Sequence, residues 1–146
     1  MTLLAVVACG GAPPTPPRTT NMARVPMSYA RSFDAPKEQT FRATVAALET
    51  LGHEVRFADP ERGVLKTAPK VHRLARLRSS DAGDFVPLSH AFVVSVREKA
   101  PGRSIVTGYV RTFSSERETT AIGKPNAPIV QQMWARLFAE IASDLR

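Results

Sequence analysis

The sequence predicts an α+β domain: an antiparallel sheet of about four to five strands with two helices packed on one face, in the order β-α-β-β-β-β-α. Three observations predict it. Apolar residues recur at helical spacing in two well-separated segments, 35–51 and 127–145. Between them lie short stretches in which polar and apolar residues alternate. Those stretches are separated by turn sequences rich in Pro, Gly and Asp.

Taken in order, Ser28 to Phe33 reads as a short first strand with Tyr29 and Phe33 as its large apolar residues. Asp34 is a helix-capping residue, and Pro36 fits a first helical turn. Phe41, Val45, Leu48 and Leu51 then follow helical spacing, and Gly52 is a suitable stop. Glu54 to Ala58 alternates, Asp59 to Gly63 is a turn, and Val64 to Thr67 resumes as a strand, which makes a hairpin. Ala68 to Pro87 shows no period and is expected to be irregular. Ser89 to Glu98 and Ser104 to Phe113 form a second hairpin around the turn at 99–103. Phe92, Val94 and Val96 share one face of its first strand, and Val106 and Val110 share one face of its second. Ser114 to Pro125 reads as a polar loop. The final helix, about Ala127 to Leu145, carries an apolar stripe of Val130, Met133, Trp134, Leu137, Phe138, Ile141 and Leu145.

The chain of 146 residues, 43% hydrophobic and 23% charged, suits one globular domain and excludes a wholly disordered chain. A net charge of +7 attracts polyanions without choosing among them. The single cysteine, Cys9, excludes an intramolecular disulfide and a multi-cysteine zinc site.

Leu3 to Ala8 is apolar but far shorter than the roughly 20 residues that span a membrane. Val6-Val7-Ala8-Cys9 resembles the lipobox of bacterial envelope lipoproteins, at the end of a secretory signal peptide. The resemblance implies cleavage before Cys9 and acylation of its thiol, as by palmitate. Residues 1–8 are then a signal peptide and 9–27 a lipidated cysteine with a proline-rich tether. Residues 28–146 are the folded domain. The basic start of a complete signal is missing, as it would be if the true start lay upstream, and the sequence leaves that open. Pro13, Pro14, Pro16 and Pro17 favour an extended spacer. At about 3.1 Å per residue, 10–26 reaches up to roughly 50 Å. The same resemblance implies the periplasmic side of the cell envelope, and Gly10 after the cysteine favours the outer over the inner membrane.

A second resemblance concerns the domain. Leu51-Gly52-His53-Glu54-Val55, the turn Asp59 to Gly63, and Val64-Leu65-Lys66-Thr67 resemble the helix-grip domains of the accessory lipoprotein of the outer-membrane β-barrel assembly machinery. This implies a binding or scaffolding module and transfers no catalytic residue.

No nucleophile elbow, phosphate-binding glycine loop or dinucleotide fingerprint occurs. His53, His72 and His90 form no helical ligand pair, and each reads as structural. Asp59 with Glu61, and Asp81 with Asp84, lie in turns. The chain is therefore not expected to be an enzyme, and no cofactor or metal is expected. The strongest candidate contact surface is the basic segment 66–78. Lys66, Lys70, His72, Arg73, Arg76 and Arg78 are interleaved there with Val71, Leu74 and Leu77, with no acid from Arg62 to Ser80. Such a segment suits an anionic membrane, an anionic polymer or an acidic envelope protein, and equally a solvated loop. A groove between the helices is the second candidate.

The expected function is a lipid-anchored binding or scaffolding module, held to the membrane through acylated Cys9. One alternative is a small envelope enzyme or enzyme inhibitor using the 66–78 loop. Another is a cytosolic polyanion-binding domain with an uncleaved amino end. Nucleic acid is not an expected partner, since the segment has no aromatics for stacking.

Overall fold

The computed structural model describes residues 29–76, 85–114, 117–119 and 127–146. The expected signal peptide, the expected tether and Arg78 lie outside them. Within them the fold is α+β, as the sequence predicts. The elements run β1 (Tyr29–Phe33), α1 (Lys37–Thr50), β2 (Val55–Asp59), β3 (Val64–Thr67), β4 (Lys70–Arg76), β5 (Phe85–Ala100), β6 (Arg103–Ser114), β7 (Arg117–Thr119) and α2 (Ala127–Asp144).

The long β5–β6 hairpin is the spine of an antiparallel sheet of seven strands rather than four to five. Its turn is Pro101-Gly102. On one side, β6 pairs with β1 near the turn and with β7 at its far end. On the other side, β5 pairs with β3 and β4, and β2 adds outside β3. Thus β3 and β4 lie nearly end to end along β5, interrupted at Ala68-Pro69. A proline there has no N–H to give to a ladder. The Thr67 hydroxyl accepts the Phe92 N–H at 2.9 Å next to the break.

Three sequence expectations need correction. The irregular stretch 68–87 holds β4 and the start of β5. The polar loop at 114–125 contains β7. The carboxylate of Asp34 does not cap α1: the cap position is Pro36, with no side-chain hydrogen bond, and Asp34 instead accepts from Arg103 Nε at 2.7 Å.

Both helices lie on one face. α1 turns Phe41, Ala47 and Leu48 inward, and α2 turns its Val130–Ile141 stripe inward. They close over Phe92, Val94 and Val96 of β5 and over Val106 and Val110 of β6. Trp134 is the centre of the aromatic packing. It stacks on Tyr29 at 5.5 Å and meets Phe92 edge-on at 5.2 Å. It reaches the sheet because Gly108 has no side chain: a Cβ there would lie 2.7 Å from Trp134 Cη2. Two buried threonines on α1 are also satisfied. Thr40 shares a 2.6 Å hydrogen bond with Ser104 of β6, and Thr44 donates to the Thr40 carbonyl at 2.7 Å.

Candidate functional site

A cleft opens where the carboxyl end of α1, strand β4 and one side of α2 converge. Its volume is about 260 Å³. α1 ends at Leu51 because Gly52 adopts a left-handed φ of 74°, which a residue with a Cβ takes up only at a cost. The chain then doubles back, with the His53 N–H donating to the Leu48 carbonyl at 2.8 Å, and this places the His53 ring beneath the cleft. Lys70 of β4 donates to the Leu51 carbonyl at 2.9 Å, tying the strand to the helix end. It thereby satisfies an otherwise orphaned terminal acceptor. α2 contributes Ile129, Gln132, Met133 and Arg136, whose spacing of three, four and seven keeps them on one helical stripe.

His72 is aimed by a local irregularity. Lys70 pairs with His90 and Val71 with Ser89, but the next pair is Arg73 with Leu88. His72 is therefore the extra residue of a β-bulge. Bulges bend a strand and re-aim a side chain. The result is a row of three imidazoles: His53 and His72 lie 5.7 Å apart between ring centroids, and His72 and His90 lie 5.1 Å apart. His53 also meets Phe92 edge-on at 4.9 Å. His53 and His90 are buried, and His72 is exposed.

The electrostatics follow from this crowding. Desolvation is the main cause that lowers the His53 pKa to about 4, and the positive charge of Lys70 and the neighbouring His72 and His90 add to it. His72 is lowered too, first by desolvation and then by Lys70. Both rings are therefore neutral at pH 7. His53 Nδ1 is buried without a hydrogen-bond partner. Among the described residues, the cleft lining contains Lys70 and Arg136 but no carboxylate. Glu54, next to His53 in sequence, is exposed, and its carboxylate is engaged by Arg56 Nε at 3.0 Å.

The candidate basic segment is divided by this arrangement, and at 66–67 and 70–76 it is strand rather than loop. Lys70 and His72 line the cleft. Lys66 does not: it is exposed on β3 with its ammonium 5.4 Å from the Phe57 ring centroid. Arg73 and Arg76 are paired along β4 with Leu88 and Phe85. The other candidate is the groove between the helices; the cleft takes Leu51 from the end of α1 and Ile129, Gln132, Met133 and Arg136 from α2, together with β4. Sequence reasoning missed Gln132 and Arg136. The available signal was their position one step off the apolar stripe of α2. It also treated the three histidines separately, although strand pairing sets two of them side by side.

Among the described residues, no group of three His, Cys, Asp or Glu is placed to hold a metal ion, and no helix is long and apolar enough to cross a membrane. No protein-family model matches the chain. No curated protein matches it either. Two solved structures are similar in outline. One is a DUF4468 family protein from Bacteroides ovatus, with 13% identity, a TM-score of 0.46, and coverage of 78% of this chain and 85% of that one. The other is Ara h 8.0201, with 16% identity, a TM-score of 0.42, and coverage of 82% and 96% respectively.

Proposed function

We propose that the chain is a lipid-anchored binding module of a bacterial envelope, and that it holds its partner at the cleft between α2 and β4 without turning it over. The observation that carries the binding part is the convergence of Lys70, Arg136, Gln132, His53 and His72 on a concavity whose other walls are the apolar Leu51, Ile129 and Met133. A few convergent polar groups in an apolar hollow are the usual anatomy of a ligand site. The anchoring part is supported by Val6-Val7-Ala8-Cys9 and the proline-rich spacer behind it. Two or more acyl chains on one cysteine hold a protein firmly at a bilayer. The spacer then lets the domain reach a partner away from the surface. The outer membrane is the proposed location.

The anchoring is tested by expressing the chain in a bacterial host behind a complete secretion signal, and comparing it with Cys9→Ser. The expected result is a membrane-bound chain beginning at Cys9 with added acyl mass, both lost in the variant. A soluble chain that keeps Met1 and carries no acyl mass would remove the anchored reading.

A further inference from the structure

We propose that the cleft binds a small amphiphilic oxyanion, with a carboxylate or phosphate head between Lys70, Arg136 and His53 and an apolar body against Leu51, Ile129 and Met133. The inference rests on the reading of the cleft as a ligand site, and adds what kind of molecule enters it.

Three features carry it. The first is sign. Among the described residues, the charged groups of the lining are Lys70 and Arg136, and no acid lines it. A cation entering here would meet the positive charges of Lys70 and Arg136, and Lys70 already adds to the desolvation that keeps His53 and His72 neutral, so a divalent metal is disfavoured. The second is an unsatisfied atom. His53 is 5% exposed, lines the cleft, and has a buried Nδ1 with no hydrogen-bond partner. Buried polar nitrogens are rarely left so, because the group forfeits its hydration without replacement. Nδ1 is sealed from solvent, so an anionic oxygen supplies the missing bond only when the ring turns toward the cleft, and a charge-assisted bond made there is stronger than a neutral pair. The third is size and polarity. At about 30 Å³ for each water-sized group, the cleft holds on the order of nine non-hydrogen atoms. Beyond the head there is room for a short hydrocarbon or a ring, and the wall offered to it is Leu51, Ile129 and Met133.

The arrangement also sets a linkage to protons. The groups facing His53 are Lys70 and His72 from β4, His90 from β5, and the α2 side of the cleft with Arg136. All are positive or neutral at pH 7. A bound anion adds the missing negative charge, so the histidines of the complex hold a proton more readily than those of the free protein. Binding therefore takes up protons, and affinity rises as pH falls from 7 toward 5.

The test uses the full chain as Cys9→Ser, which is soluble under the anchoring proposal. Calorimetry is run with four probes of one length: octanoate, octyl phosphate, octanol and octylammonium. Inorganic phosphate is the bare-anion control. The expected result is saturable binding of octanoate or octyl phosphate at least tenfold tighter than octanol, with no binding of octylammonium. At pH 6, two buffers of different ionisation enthalpy should report proton uptake. Arg136→Gln, which alters an exposed helix position, should weaken the acid at least tenfold and leave octanol unchanged. His53→Phe should abolish the proton uptake. If octanol binds as well as octanoate, the cleft is a ligand site but the oxyanion inference is wrong. If inorganic phosphate matches octyl phosphate, the amphiphile is wrong. If octylammonium binds best, the sign is wrong. If none of the probes binds, both the inference and the ligand-site reading fall, while the anchoring stands on its own test.

Discussion

His53, Gly108 and Thr40 are each fixed by a different physical constraint, and each gives its own prediction. His53 is neutral in the fold at pH values where an unfolded histidine is charged. Its pKa is about 4, against 6.5 when unfolded. The unfolded state then binds more protons between these values, so stability is lost as pH falls from about 6.5 to about 4. The loss is on the order of 2–3 kcal/mol from this residue. Urea unfolding at a series of pH values should show it. His53→Phe keeps an aromatic edge against Phe92 and should flatten the profile in that window. At Gly108, an added methyl collides with the Val93 backbone carbonyl and with Trp134, so Gly108→Ala should cost about 1–3 kcal/mol and alter the near-ultraviolet circular dichroism of the indole. A normal spectrum with normal stability would show that Trp134 has room to move. Thr40→Val removes the partner of a buried hydroxyl and leaves Ser104 unsatisfied. Chemical denaturation should register a loss of about 1–3 kcal/mol, and Thr40→Val with Ser104→Ala together should recover part of it.

At the level of elements, legibility tracked regularity. Both helices were readable because their apolar residues keep one period from end to end, and their interiors contain neither glycine nor proline. The β5–β6 hairpin was readable in its middle, where Phe92, Val94 and Val96 alternate without interruption. Its first residues were not, because Pro87 lies in the strand and reads as a breaker. β4 was missed for a sharper reason. The bulge at His72 moves the alternation by one residue halfway along seven. Neither phase of a two-residue period then runs the length of the strand. The same bulge aims His72 into the cleft, so the feature that concealed the strand is the one that helps make the site. Lys70 and His72 were legible as basic residues with apolar neighbours. Their convergence with Arg136 on one cleft was not, since it joins sequence positions on either side of the β5–β6 hairpin. Deleting His72 should restore a regular β4. It should preserve the far-ultraviolet spectrum while removing octanoate binding, as calorimetry would show.

For the whole molecule, the strand order has a bearing on when the fold can form. β1 finds its partner in β6, with Tyr29 opposite Gly108, and most of the domain lies between them in sequence. β1 packs on Trp134 of the last helix as well. A chain growing from its amino end therefore makes α1 and the β2–β3 hairpin long before the surfaces that cover them exist. Contacts this distant close late and slowly. The core has no early half that can stand alone, and completion waits for the final helix. Chains cut before residue 127 should be digested rapidly by protease, and those ending after Asp144 should resist. This order keeps the polypeptide in a pliable, threadable condition until synthesis is finished, which is the condition in which a protein is passed through a narrow translocation channel.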